Sequence, residues 1–216
     1  MNTCGLLILG RGLRLSRAGK VVVDAFDLEL QAGERLFVLG ASGTGKTTLL
    51  HSLLGFVPLA GGELQLLGRT CRSEKDFAPL RGPLGLLFQD AGDQLFGPTV
   101  AEDAAFGPLN QGATAAEARE IALQTLARIG IAHLAERPVH ALSGGEQRLA
   151  ALAGVLAMSP KVLLLDEPTT GLDEAASERL LGVLADSGLS MIVASHDPAC
   201  VGALATRRMT LTPAPR

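Results

Sequence analysis

Gly40-Ala41-Ser42-Gly43-Thr44-Gly45-Lys46-Thr47 fits the pattern G-x-x-x-x-G-K-[ST] and lies between two segments of opposite character. Arg35-Leu36-Phe37-Val38-Leu39 ahead of it reads as a strand, and Lys46 to Leu54 behind it reads as a helix. The glycines let the main chain curl so that successive N–H groups converge on one point, and the helix turns its positive end toward that point. Phosphate oxygens suit such a concavity. Lys46 can then neutralise the β- and γ-phosphates and the Thr47 hydroxyl can ligate Mg²⁺. The expected ATP-binding set from this loop is Gly40, Ala41, Ser42, Gly43, Thr44, Gly45, Lys46, Thr47 and Thr48.

A strand–loop–helix unit of this kind belongs in an α/β fold, and the rest of the chain agrees. Val162 to Leu165 and Met191 to Ala194 are continuous apolar runs, as in strands buried on both faces. Helices are expected over Ser143 to Met158 and from Asp173 to Ala185, so strands and helices alternate around a mainly parallel sheet. Residues 20–30 alternate like a half-buried strand, and residues 60–90 hold short strand-like pieces, which points to an antiparallel β subdomain. Thr114 to Ile129 is expected as a helix opened by a Thr114–Glu117 capping box. From Asp90 to Gly112, with Pro98 and Pro108, the chain reads as loop. No sheet strand is evident between Gln89 and Ala141. The expectation is one domain with its core at 1–88 and 142–216 and a helical subdomain at 89–141.

Val162-Leu163-Leu164-Leu165-Asp166-Glu167 is an apolar strand ending in two carboxylates. Parallel sheets carry their ligand-binding residues at the carboxyl edge, so both acids should face the phosphate loop. Asp166 is placed to hold Mg²⁺, and Glu167 to orient and deprotonate an attacking water.

Composition removes other classes. Net charge is −3 and Tyr and Trp are absent, which argues against nucleic acid as a partner. No run approaches the ~18–20 apolar residues of a membrane span. Met1-Asn2-Thr3-Cys4-Gly5 carries no basic leader, so no secretory signal is read there. Cys4, Cys71 and Cys200 are too widely spaced for a metal site and are expected as reduced thiols.

Leu142-Ser143-Gly144-Gly145-Glu146-Gln147 opens the helix ahead of the acidic strand. A capping box alone accounts for Ser143 and Glu146, yet two glycines inside a first turn cost about 1 kcal/mol each relative to Ala. Free N–H groups at a positive helix end, able to grip phosphate, give a reason for them. Here the sequence resembles the ATP-binding-cassette (ABC) ATPases, whose signature is L-S-G-G-Q or L-S-G-G-E, and the resemblance spans nearly the whole chain. It implies that Gln89 is the Q-loop glutamine, Asp173 in Gly171-Leu172-Asp173 the D-loop aspartate, and His196 the switch histidine. The implied catalytic residues are Glu167, His196, Lys46 and Gln89, with Mg²⁺ on Thr47, Gln89 and Asp166. Two such subunits, expected here as a homodimer, would meet head to tail. Ser143, Gly144, Gly145 and Glu146 would then serve the partner's ATP.

Phe88-Gln89-Asp90, Asp93-Gln94-Leu95-Phe96, Pro98-Thr99-Val100 and Ala105-Phe106-Gly107-Pro108 are similar to the energy-coupling-factor (ECF) transporter ATPases. That resemblance implies import of a vitamin such as biotin, or of cobalt or nickel, at the cytoplasmic face of the membrane. Other importer classes, or iron–sulfur assembly, are the alternatives. An integral membrane subunit is expected to dock near Asp93 to Asp103, where Asp93, Glu102 and Asp103 edge the apolar Leu95 and Phe96. One departure from the family concerns adenine. The region Leu13-Arg14-Leu15-Ser16-Arg17 lacks an aromatic ring, leaving Leu15 or an arginine plane to contact the base.

Overall fold

The computed structural model of the protein describes residues 5–214. Cys4 and most of the segment bearing on a leader lie outside the described residues. Two sheets divide the strands. The first is antiparallel, in the order β2 (Lys20–Gln31), β1 (Leu6–Arg17), β4 (Leu59–Leu66), β5 (Arg69–Thr70). The second is parallel throughout, in the order β6 (Leu84–Leu87), β7 (Val162–Asp166), β8 (Ser190–Ala194), β3 (Arg35–Leu39), β9 (Arg207–Thr210). This is the expected α/β architecture, a mainly parallel core sheet with an antiparallel β portion.

The side-chain period of two splits the core around the parallel sheet. Phe37, Leu163, Leu165, Met191 and Val193 face one way, toward α3 (Val100–Asn110), α4 (Ala115–Arg128), α5 (Gly144–Ala157), α6 (Glu174–Asp186) and α7 (Pro198–Leu204). Leu36, Val38, Val162, Leu164, Ile192 and Ala194 face the other, toward α1 (Lys46–Ser52), α2 (Glu74–Phe77) and the antiparallel sheet. Both faces are covered, which is why these strands are apolar without alternation.

Three sequence expectations are corrected. The stretch read as loop from Asp90 to Gly112 contains α3, capped by Thr99, whose hydroxyl accepts the Glu102 N–H at 3.3 Å and donates to the Glu102 carboxylate at 2.8 Å. Pro108 lies in its last turn, two residues before the helix ends, so the i−4 bond it removes is near the terminus. Second, Leu15 is fully buried opposite Val23 on β2 and cannot contact a base. Strand β1 had escaped the reading because register shifts around Gly10 to Leu15 break its alternation. Third, Asp103 is no exposed docking carboxylate. It is 8% exposed, and its Oδ1 accepts the N–H groups of Phe96 and Gly97 at 2.9 and 2.8 Å.

No helix among the described residues is long and apolar enough to cross a membrane. Cys71 and Cys200 are buried free thiols, and burial pushes the Cys200 thiol up to about 12.

Candidate active site

Four strands of the parallel sheet deliver residues to its carboxyl rim. β3 runs into the phosphate loop, β6 into Gln89, β7 into Asp166 and Glu167, and β8 into His196. The register makes them neighbours, because Asp166 pairs with Ala194 and Ala194 with Val38. Together they open on a cavity of about 580 Å³. Lining it from the expected set are Gly40, Ala41, Ser42, Gly43, Gly45, Lys46, Thr47, Thr48, Gln89, Asp166, Glu167 and His196.

The loop's conformation explains its composition. Gly45 has φ +100°, and a Cβ there would stand 2.9 Å from a Val23 methyl. A Cβ on Gly40 would meet the Leu211 carbonyl at 2.7 Å. Thr44 does not line the cavity; its hydroxyl donates to the Ala41 carbonyl at 2.9 Å and braces the loop from beneath. Lys46 is 8% exposed, with Nζ donating to the carbonyls of Gly40 at 2.8 Å and Ala41 at 3.3 Å. A buried ammonium so held is compact and ready to exchange neutral acceptors for charged ones.

Glu167 holds φ +44°, a strained conformation for a side-chain-bearing residue, and its N–H donates to the Ala194 carbonyl at 2.8 Å. That geometry fixes the carboxylate, whose Oε1 lies 2.9 Å from His196 Nδ1 and 3.9 Å from Lys46 Nζ. The histidine is otherwise exposed, with 72% of its side chain accessible.

Asp166 is 1% exposed, and its Oδ1 is buried with no hydrogen-bond partner. Burial pushes its carboxyl above the usual range, and the nearby Thr47 hydroxyl is the largest opposing influence. A buried carboxylate oxygen left unpaired is costly. A hard divalent cation takes oxygen ligands and keeps several waters, so Asp166, Thr47 and the Gln89 amide oxygen suit Mg²⁺ shared with phosphate. Among the described residues no group of three His, Cys, Asp or Glu side chains could cage a metal alone, which fits a shared ion.

Ser143, Gly144, Gly145, Glu146 and Asp173 do not reach this cavity. Ser143 caps α5: its N–H donates to Glu146 Oε2 at 2.8 Å and its hydroxyl accepts the Glu146 N–H at 3.3 Å. Ser143, Gly144 and Asp173 are exposed. Asp173 caps α6 through a 2.8 Å bond from Ala176 N–H.

Several residues in or beside the site were missed by sequence reasoning. Val22 and Thr170 line the cavity. Arg17, at the β1–β2 turn, lines it as well, and of the two arginines the sequence offered for the base it is the one that does. Arg148 reaches the carbonyls of Phe88 and Gln89 from α5, and an arginine inside an otherwise apolar helix face was the available signal.

Comparison with known proteins supplies the kinship. The family model described as "ABC transporter" matches residues 23–170. A cobalt import ATP-binding protein, CbiO, of Rhodobacter capsulatus is 46% identical over 88% of this chain and 69% of its own. An energy-coupling factor transporter ATP-binding protein, EcfA, of Methanosphaera stadtmanae is 38% identical over 83% of this chain and 66% of that one. Among solved structures, CbiO1 of Clostridium perfringens, described as part of the ABC transporter complex CbiONQ, superposes with TM-score 0.86. It is 31% identical, over 96% of this chain and 85% of that one. The chain therefore belongs to the ABC transporter family, as an ATP-binding ATPase similar to the CbiO and EcfA proteins.

Proposed function

We propose that this chain is the ATP-hydrolysing subunit of an ECF-type importer for a cobalt or nickel ion. It works as a homodimer at the cytoplasmic face of the membrane, held there by integral subunits. The observation that carries the ATPase chemistry is the meeting of Lys46, Glu167 and His196 around one cavity with the unpaired Asp166 oxygen. Similarity to a cobalt import protein and to CbiO1 favours the metal cargo over biotin.

ATP enters with its phosphates along the loop N–H groups. Lys46 gives up its bonds to Gly40 and Ala41 and turns to the β- and γ-phosphate oxygens, where it stabilises charge on the transferred group. Thr47, Asp166 and Gln89 would hold Mg²⁺, which when bound would neutralise phosphate charge. Glu167, fixed by its own backbone, orients a water in line with the γ-phosphate and accepts its proton. His196 contacts the γ-phosphate and keeps Glu167 oriented through the 2.9 Å bond. Ser143 to Glu146 complete the site of the second copy, and Asp173 lies between the copies.

The membrane subunit docks on the segment from Asp93 to Asp103 and the adjoining face of α3. Phe96 and Phe106 are 63% and 48% exposed and stack edge to face at 4.6 Å, with Leu109 exposed further along α3. Aromatic pairs exposed beside carboxylates suit an apolar partner helix bearing arginine, and Asp93 and Glu102 supply that charge. Affinity capture of the chain from detergent-solubilised membranes tests this directly. It should recover an integral membrane protein with MgATP-dependent uptake of cobalt or nickel. Recovery with soluble iron–sulfur assembly proteins alone would overturn the transport assignment while leaving the ATPase intact.

A further inference from the structure

Gln89 follows β6, an edge strand of the parallel sheet, so the main chain at its root has polar groups that no further strand can satisfy. Two side chains take that place. Gln94 accepts the Phe88 N–H at 3.0 Å and donates to the Leu86 carbonyl at 3.3 Å. Arg148 comes from the opposite direction, out of α5. Its Nη1 donates to the Phe88 carbonyl and its Nη2 to the Gln89 carbonyl at 2.6 Å.

Arg148 is 3% exposed, next to Leu149, Ala150 and Ala151 on a helix that otherwise buries only apolar side chains. A buried guanidinium is tolerated only where its donors and charge are met. Here two carbonyls meet two of its donors, and although burial disfavours the cation, the charges of Asp90 and Asp166 oppose that effect. An apolar side chain would serve the core better. What the arginine adds is a two-pronged, planar attachment between α5 and the chain at Gln89.

We propose that Arg148 is the positioning residue of Gln89, fastening its main chain to the helix whose first turn is Ser143 to Glu146, so that Gln89 and the signature turn move as one body. This rests on the functional reading above. A displacement that the membrane subunit imposes beside Gln89 is thereby passed to the signature turn. Conversely, closing of the signature turn on a partner's phosphate sets the distance of Gln89 from Asp166.

The test is steady-state ATPase kinetics of Arg148→Gln and Arg148→Lys beside the wild type, with melting temperatures and MgATP affinity measured on each. Arg148→Gln should lower kcat by about tenfold or more while KM for ATP stays within about threefold, because the phosphate loop is untouched. Arg148→Lys, which keeps the charge but donates to the carbonyls less rigidly, should recover about half of that loss on a logarithmic scale and fold even if the glutamine variant does not. An unchanged kcat in either variant overturns the proposal. So does a loss of kcat matched by loss of ATP affinity, or one that vanishes well below the variant's melting temperature, since both mark general destabilisation. If the wild type itself fails to hydrolyse MgATP, it is the proposed function that falls.

Discussion

The carboxyl rim of the parallel sheet and the first turn of α5 carry their polar groups in opposite ways. At the rim, Lys46, Asp166 and Glu167 are each at most 8% exposed, and Lys46 and Glu167 are held by neighbours of the same chain. On α5, Ser143 and Gly144 are exposed, and the turn does not line the rim cavity. The rim gathers buried groups of one chain around a cavity, whereas the α5 turn is exposed surface. On the proposed function, this difference is what would let one chain bind nucleotide by itself and need a second copy to cleave it.

The sharpest way to break this contrast is at the rim. Lys46→Ala removes the principal cation facing the phosphates and should abolish productive ATP binding, a loss of about a thousandfold or more in kcat/KM. Glu167→Gln should bind ATP normally, stop turnover and accumulate an ATP-bound dimer, seen by light scattering with and without MgATP. Normal turnover by the glutamine variant would remove Glu167 from the base role.

The counterpart on α5 is Gly144→Glu. No atom lies within 4 Å of a Cβ built at Gly144, so the variant should fold with an unchanged melting temperature. Its carboxylate would repel a partner's γ-phosphate, and turnover should fall about a hundredfold while nucleotide titration of the monomer stays normal. Gly145 could not be used in this way, because a Cβ there would meet Ala176 at 2.8 Å. A Gly144→Glu subunit that still hydrolyses ATP at full rate would mean that the turn takes no part.

A smaller effect is expected at the base. Phosphate contacts are common to all nucleoside triphosphates, and the cavity offers the base only Arg17 and Val22 beyond the phosphate loop on that side. The ratio of kcat/KM for ATP over GTP should stay below ~100-fold, about 2.7 kcal/mol. Arg17→Ala should raise KM for ATP by about threefold through lost stacking. A larger preference would point to a base contact contributed by the second copy.

The contrast also marks what the sequence could reveal. The phosphate loop, the Asp166–Glu167 strand end and the capped helices α4 and α5 were legible because each is specified by residues a few positions apart. Strand β1 was not, since shifts in register interrupt its alternation and its pairing with β4 rests on residues distant in sequence. The burial of Asp103 was illegible for a similar reason. A carboxylate next to Glu102 in a stretch that reads as loop looks like charged surface, and only the fold back to Phe96 and Gly97 shows it bonded inward. Helix α7 and strand β9 are seven and four residues long, too short for periodicity to announce them.

The mildest test asks what holds the α5 turn in shape. Glu146 closes the capping box, and the Ser143 N–H, then the Ser143 hydroxyl, hold its carboxyl below the ordinary value of 4.5, with Arg137 adding to the effect from 3.0 Å. A carboxyl depressed on folding contributes stability that is present at neutral pH and is lost as pH falls below 4.5 and through the folded value. Glu146→Ala should cost about 1 kcal/mol, the usual worth of a cap, and lower the melting temperature by about 2–4 °C in a chain of this size. Glu146→Gln can still accept the Ser143 N–H, so it should retain most of that stability at pH 7. Because glutamine does not titrate, the gap between wild type and Glu146→Gln should narrow as pH is lowered past 4.5, while Glu146→Ala, which lacks the carboxylate too, should converge on the acidified wild type. Thermal melts of the three proteins between pH 7 and pH 4 decide it. If the alanine variant melts with the wild type at pH 7, the cap contributes nothing to the turn, and the close approach of Gly145 to Ala176 on α6 must hold it instead.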